Sequence, residues 1–106
     1  MEIYNLRDFK NGWYVGDFEP SIYKSGEFEA SVKFFLPGQS EPSHKQKIAT
    51  EITVVISGCI KINNTIFRSG EIIVITAGEF ADFFCIEESA LAVIKFPSLP
   101  SDKVLR

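Results

Sequence analysis

Apolar and polar residues alternate along much of the chain, which is the pattern typical of β-strands. The clearest case is the segment 28–36, where apolar side chains occupy every second position: Phe28, Ala30, Val32, Phe34 and Leu36. Alternate side chains of a strand share one face, so we expect this set to point into the core. Pro37 and Gly38 follow directly and predict a turn.

The next segment alternates polar side chains instead. His44 and Gln46 share one face of a predicted strand, and the lysines beside them share the other. Because lysine ammonium groups need water, we expect His44 and Gln46 to point inward. Residues 48–50 predict a turn, after which Glu51 opens a strand that can lie against the first. An imidazole, an amide and a carboxylate are therefore expected to converge inside a sheet.

The strand that begins at Glu51 has two different faces. One face carries Glu51, Thr53, Val55 and Ser57, whereas the other carries only Ile52, Val54 and Ile56. The wholly apolar second face predicts that both sides of this strand are covered. Gly58 is expected to end the strand.

Glycine-marked turns and short apolar runs continue to the end of the chain. Asn63 and Asn64 predict a tight hairpin turn, because asparagine tolerates positive φ. Further strands are predicted over 72–75, 80–86 and 90–96, with a turn at residues 87–89. Strands at this spacing predict an all-β domain, either a small barrel or a double-sheet jelly roll.

The two ends of the chain are predicted to be less regular. Residues 1–27 form a strand and loop extension of the same domain, in which Asn11 and Gly12 predict a hairpin turn. Residues 28–96 form the barrel. Residues 97–106 are expected to be a tail, with one helical turn at most from Ser101.

Composition narrows the choice of partners and compartment. The chain has 106 residues and a formal net charge of −3, with scattered basic residues. This length favours a single domain, and the charge pattern argues against a nucleic-acid or membrane partner. The start of the sequence shows no apolar signal core and no run long enough to span a membrane, so we expect a cytoplasmic protein. Cys59 and Cys85 lack zinc or disulfide spacing and are expected to be buried thiols.

The stretch from Gly38 to Gly58 resembles the first motif of the cupin family. That motif runs Gly, five residues, His-x-His, three or four residues, Glu, six residues, Gly, and Gly38, His44, Glu51 and Gly58 fall at these intervals. Gln46 replaces the second histidine. The second cupin motif is matched by Gly70 and Gly78, with Thr76, Ala81 and Cys85 at its proline, histidine and asparagine positions. The resemblance covers roughly residues 28 to 96 and implies a cupin-type β-barrel, the double-stranded β-helix or jelly roll.

In metal-binding cupins, the ligands are the two histidines and the glutamate of the first motif and the histidine of the second. The resemblance therefore implies a metal site at His44, Gln46 and Glu51, for one divalent ion such as zinc, nickel or iron. Ala81 offers no ligand, and one imidazole in place of three predicts weak binding. An alternative is that the three side chains form a buried hydrogen-bonded cluster without a metal.

The functional expectation is a small-molecule-binding domain with a pocket open beside Glu51. We expect the pocket to be lined by His44, Gln46, Glu51, Thr53, Ala81 and Phe83. The alternatives are an enzyme, either a metal-dependent oxygenase or a carbohydrate isomerase that uses His44 and Glu51, and an interaction protein with a sealed barrel. Recognisable hydrolase and phosphate-binding motifs are absent, and no catalytic residue is assigned. The chain has 13% aromatic residues, more than a small barrel can hide, which predicts a homodimer.

Overall fold

The computed structural model of the chain describes all residues, 1–106. Two short 3-10 helices, Leu6–Asp8 and Lys10–Gly12, precede nine strands. The strands are β1 (Trp13–Gly16), β2 (Tyr23–Lys24), β3 (Glu29–Phe35), β4 (Ser40–Gln46), β5 (Thr50–Ile62), β6 (Thr65–Arg68), β7 (Ile72–Ile75), β8 (Ala81–Phe96) and β9 (Lys103–Leu105). The all-β prediction is confirmed. No helix is long and apolar enough to cross a membrane.

The long strands β5 and β8 each take part in two sheets. The second half of β8 pairs with β3 and with the first half of β5, which also pairs with β7. The first half of β8 pairs with β4 and with the second half of β5, which also pairs with β6. We call the first of these two groups of strands the first sheet; β1 and β2 extend it beyond β3. The other group is the second sheet, and β9 extends it beyond β4.

The two sheets face each other across the core. The Phe35 ring of the first sheet lies 4.5 Å from the Phe83 ring of the second sheet, measured between ring centroids. The buried core cluster contains Val55, Ile60, Phe83, Cys85, Leu91 and Val93. No hydrogen-bonded pair joins the outer strands β2, β6, β7 and β9 to one another. The fold is therefore a double-sheet jelly roll and not a closed barrel.

Gly58 and Ser89 form the corner at which β5 and β8 pass from one sheet to the other. Gly58 has φ of +93°, and a Cβ added there would lie 2.7 Å from Ser89 Cα and would overlap the Glu88 carbonyl oxygen. The Ser89 hydroxyl accepts the Cys59 N–H at 3.0 Å and donates to the Glu87 carbonyl at 2.6 Å. The pairing register shifts between Val55 and Ile60, as expected where bulges bend a strand.

This corner corrects two predictions. Gly58 does not end its strand, because its left-handed backbone bends β5 without interrupting it. Residues 87–89 are likewise not a turn between separate strands, since β8 continues through them. The predicted hairpin turn is confirmed, with φ of 47° at Asn63 and 66° at Asn64. Cys59 and Cys85 are buried free thiols, as predicted.

The predicted pairing of the histidine strand with the glutamate strand is wrong. β4 and β5 belong to different sheets at this point, and each pairs with its own half of β8. Glu51 therefore approaches His44 and Gln46 across the interior, not from a neighbouring strand of the same sheet.

The inward face of β3 is opposite to the predicted one. The side chain of Phe34 is 69% exposed, whereas Glu29 and Ser31 are buried. Lys33 and Phe35 share this inward parity. The apolar side chains of β3 lie on the outer face of the first sheet, beside outward apolar side chains of β8 and β5 such as Ile94 and Ile56. The predicted cover over the Ile52, Val54 and Ile56 face is not supplied by the chain itself, since Ile56 is 49% exposed.

Both ends of the chain differ from expectation. Asn11 and Gly12 have positive φ but end a 3-10 helix and do not join two strands. Residues 103–105 form β9, which pairs with β4, and not a helical turn. Buried Asp102 accepts the N–H of Ala49 at 2.8 Å and of Ile48 at 2.9 Å. Burial opposes its charge, but these hydrogen bonds outweigh burial and hold the pKa of Asp102 below its usual value.

Replacement of Gly58 by alanine is expected to destabilise the fold through both backbone strain and overlap. Gly70 provides the matched control, because its φ of +90° is similar but no atom lies within 4 Å of its Cβ position. We expect Gly70→Ala to cost about 1 kcal/mol and Gly58→Ala roughly 2 kcal/mol more. Urea unfolding of both variants measures the difference. Equal losses would show that the close approach to Ser89 does not constrain the corner.

Candidate small-molecule site

A cavity of about 70 Å³ lies between the two sheets. The structure places all six side chains of the predicted pocket on its wall: His44, Gln46, Glu51, Thr53, Ala81 and Phe83. The cavity lies beside Glu51, and Phe34 does not fill it because that ring points outward. A small, partly open space with polar groups of several kinds suits a small polar guest or ordered water.

The two sheets contribute different parts of the wall. His44 and Gln46 come from β4, and His44 lies directly opposite Ala81 of β8 in the strand register. Glu51 and Thr53 come from β5 in the first sheet. The alternation of β4 explains the inward position of Gln46, which is 5% exposed.

Lys95 lines the cavity and lies between two carboxylates. In the register of the first sheet, Glu29 and Glu51 are both directly opposite Lys95, one on each side. The Lys95 Nζ is 3.9 Å from Glu51 Oε1, and both side chains are largely shielded from solvent. Burial raises the pKa of Glu29, while Lys95 and Lys33 oppose that rise. This row neutralises charges that would otherwise be costly to bury.

Lys33 is a second amine on the wall, and it is half-buried. Burial lowers its pKa most, and the nearby ammonium of Lys95 adds to the effect, while Glu41 and Glu51 oppose it. The Lys33 Nζ lies 4.9 Å from the centre of the Trp13 ring, and the Lys95 Nζ lies 5.0 Å from the same centre. Contact with an aromatic ring partly offsets the loss of water around a cation.

The amide nitrogen of Gln46, Nε2, is the one buried side-chain nitrogen or oxygen atom without a hydrogen-bond partner in the protein. A buried polar atom without a partner is destabilising by about 1 to 3 kcal/mol. A water molecule or another small molecule in the cavity would remove this cost by accepting a hydrogen bond from the atom.

The side chains present fit a metal ion poorly. No group of three or more histidine, cysteine, aspartate or glutamate side chains is close enough to hold one. Glu51 is already paired with Lys95, and the Nδ1 atom of His44 lies 3.0 Å from the Pro42 carbonyl oxygen. One imidazole, one shared carboxylate and one amide form a weak donor set for a transition metal.

Sequence reasoning missed the charged residues of the site. They include Glu29 and Lys33 from β3, Glu41 from β4, Lys95 from β8 and Lys103 from β9. Lys45, Glu79 and Asp82 also line the cavity. One signal was available for Lys95, which is the only charge in the apolar run 90–96. Lys33 points inward because the face of β3 that turns to the interior is the opposite of the predicted one. The alternation of apolar residues alone could not show which face that would be.

Comparisons with known proteins concern the fold. The sequence matches no protein-family model and no curated protein. An uncharacterised protein with a double-stranded β-helix domain from Klebsiella pneumoniae superposes with a TM-score of 0.72 at 18% identity, over 98% of this chain and 90% of that one. A cupin-2 domain protein from Shewanella frigidimarina gives 0.60 at 19% identity, over 66% and 71%.

An oxalate oxidase in complex with glycolate gives a TM-score of 0.60 at 26% identity. The match spans 74% of this chain and 46% of the oxidase. These similarities agree with the two facing sheets, the shared strands β5 and β8, and the glycine spacing of the first motif. The chain therefore has the cupin fold, the double-stranded β-helix.

Proposed function

We propose that this chain is a cupin-type domain that binds a small polar molecule in the cavity between its sheets. The observation that carries the proposal is the buried, unpartnered Nε2 atom of Gln46 on the cavity wall. A guest that accepts a hydrogen bond from this atom would remove the cost of burying it. The Thr53 hydroxyl lies on the same wall and offers a further polar contact.

The size of the cavity limits what it can hold. About 70 Å³ corresponds to roughly two water molecules at bulk density, so only a few non-hydrogen atoms fit inside. Phe83 and Leu91 supply apolar wall. The guest, or the part of it that enters, is therefore small and has both polar and apolar surface.

Filling the cavity should abolish binding. We expect native mass spectrometry of the purified protein to show a bound small molecule, and Ala81→Leu to lose it because the larger side chain occupies the space. Ala77→Leu, in an exposed turn, is the control and should retain it. Thr53→Val provides a second test in case the Ala81 variant misfolds. It keeps the shape of the side chain but removes the hydroxyl, and it should weaken binding. Retention of the guest by both cavity variants would refute the proposed site.

A weak divalent-metal site at His44, Gln46 and Glu51 is the second candidate. It is favoured by one observation, which is that all three line the same cavity and Ala81 lies opposite His44. An imidazole at position 81 would therefore sit beside the His44 ring. No chemical step is assigned to such an ion.

Restoring imidazoles should strengthen metal binding stepwise. We expect weak zinc or nickel binding by the wild type, with a gain of on the order of tenfold for Gln46→His and again for the Gln46→His/Ala81→His pair. Calorimetric titration measures both gains. Gln46→His/Ala77→His carries the same number of histidines with one outside the cavity, and should bind no better than Gln46→His alone. If the paired variant binds like the wild type, the three positions do not meet at one ion.

The enzymatic alternatives, a metal-dependent oxygenase or a carbohydrate isomerase, stay predictions. Solved structures of similar fold include enzymes by name, such as the oxalate oxidase. In this chain Glu51 is paired with Lys95, so its carboxylate is not free to act as a base without first losing that contact.

We also propose that the chain forms a homodimer through the outer face of the first sheet. Every outward side chain from β3, the second half of β8, the first half of β5 and β7 is uncharged, and most are apolar. The exposed members are Phe34, Ile56, Ile72, Val74, Ile94 and Phe96. We call this set the apolar face.

The extent and chemistry of the apolar face suit a second copy of the chain. Three strand segments of about seven residues and the four-residue β7, about 4.8 Å apart, cover on the order of 400 Å² in projection. Protruding side chains add accessible area towards the roughly 800 Å² per partner of a stable interface. A face without charge needs an apolar partner, and a twofold axis supplies the same face from the other copy.

A charge at the centre of the apolar face should break the dimer. We expect light scattering to give twice the 11.9 kDa chain mass for the wild type and the single-chain mass for Ile94→Lys, because a buried unpaired ammonium is costly. Ile66→Lys introduces the same charge at an exposed isoleucine of β6 in the second sheet, and should remain dimeric. A wild type that is monomeric over a wide concentration range would contradict the proposal.

A further inference from the structure

Five residues separate the inner cavity from a larger outer cavity. The outer cavity has a volume of about 390 Å³ and is lined in part by Trp13, Phe18 and Leu99. The residues that line both cavities are Lys33, Glu41, Gln46, Lys95 and Lys103. We call this set the divide. It carries three ammonium groups, one carboxylate and one amide, so it has an excess of positive charge and of hydrogen-bond donors.

Two of the three ammonium groups have no counter-ion in contact. Lys95 pairs with Glu51 at 3.9 Å, but no carboxylate oxygen lies within 4.0 Å of Lys33 or Lys103. Burial disfavours the charged form of Lys33 and lowers its pKa. The nearby Gln46 Nε2 atom is also without a partner. The divide therefore presents more donor groups than acceptor groups, and Glu41 is its only carboxylate.

We propose that the ligand of this site carries a carboxylate group, which binds at the divide to Lys33, Lys103 and the Gln46 amide. This inference rests on the proposed small-molecule function and names the chemistry of the ligand. A carboxylate supplies acceptor positions on two oxygens, and its hydrogen bonds to ammonium groups are charge-assisted. The remainder of the ligand lies in the outer cavity against the ring of Trp13.

The surrounding charges favour a single negative charge over a phosphate. Glu41 belongs to the divide, and Glu51 lies on the inner wall beside Lys95. Glu79 and Asp82 also line the inner cavity. Glu29 lies across the strand register from Lys95 on the other side. A dianion would meet more repulsion from these carboxylates than a monoanion would, and a monoanion is enough to give Lys33 a counter-ion in contact.

Trp13 gives a direct readout because it is the only tryptophan of the chain and lines the outer cavity. Its fluorescence can be titrated with acetate and propionate as probes, with acetamide and propionamide as neutral molecules of matched shape. We expect the acids to bind and raise the thermal midpoint, and the amides to bind at least about tenfold more weakly, because they lack the charge.

Lys33→Met removes the charge but keeps a similar chain length, and should weaken acid binding about tenfold. Lys61→Met is the matched control, since Lys61 also lies over an aromatic ring, that of Phe84 at 5.6 Å, but is not on the divide. It should bind acids like the wild type. Lys103→Met provides a second test on a more exposed strand if the Lys33 variant unfolds, and should also weaken binding.

Three results would overturn the inference. These are equal binding of acids and amides, tighter binding of inorganic phosphate than of acetate, and wild-type acid affinity in the lysine variants of the divide. If neutral molecules bind in the cavity and no acid does, the carboxylate inference fails while the proposed binding function stands. If neither acids nor neutral molecules bind and the purified protein carries no guest, both fail.

Discussion

The contact between the backbone of Gly58 and Ser89 is the constraint on which the rest of the structure depends. Because no side chain separates the two strands there, β5 and β8 can bend together and continue from one sheet into the other. The bend brings the first half of β5 to face β4 across the interior. Glu51 and Gln46 consequently share a cavity although their strands do not pair. A straight β5 would leave them in one flat sheet, with no enclosed space between them.

The site also determines which face of β3 points inward. The side chains of Glu29 and Lys33 point into the interior, and the apolar side chains of β3, such as Phe34, point outward. Burying these charges is tolerable because Lys95 sits between Glu29 and Glu51, and because Lys33 contacts the Trp13 ring. The polar interior and the apolar face are therefore two consequences of one choice of register, since shifting a strand by one residue exchanges its faces.

The local signals in the sequence predicted much of the fold. Asn63 and Asn64 specify their turn by positive φ. The three residues of the first motif, His44, Gln46 and Glu51, line one cavity. The failures have a common physical cause. The parity of β3, the continuity of β5 through Gly58 and the strand at 103–105 depend on partners distant in sequence. Alternation identifies the two faces of a strand but cannot tell which is covered.

Two features of the site are connected by electrostatics. One is the replacement of the motif's histidines by Gln46 and Ala81, and the other is the presence of lysines on the cavity wall. A divalent ion and an ammonium group both supply positive charge to a carboxylate, and Lys95 already supplies it to Glu51. Gln46 and Ala81 remove two imidazoles at the positions where an ion would need them. An ion bound there would lie near the ammonium groups of Lys33 and Lys95, and like charges in a poorly hydrated cavity repel strongly. The same arrangement that weakens a cation site is the one on which the proposed binding of a carboxylate rests.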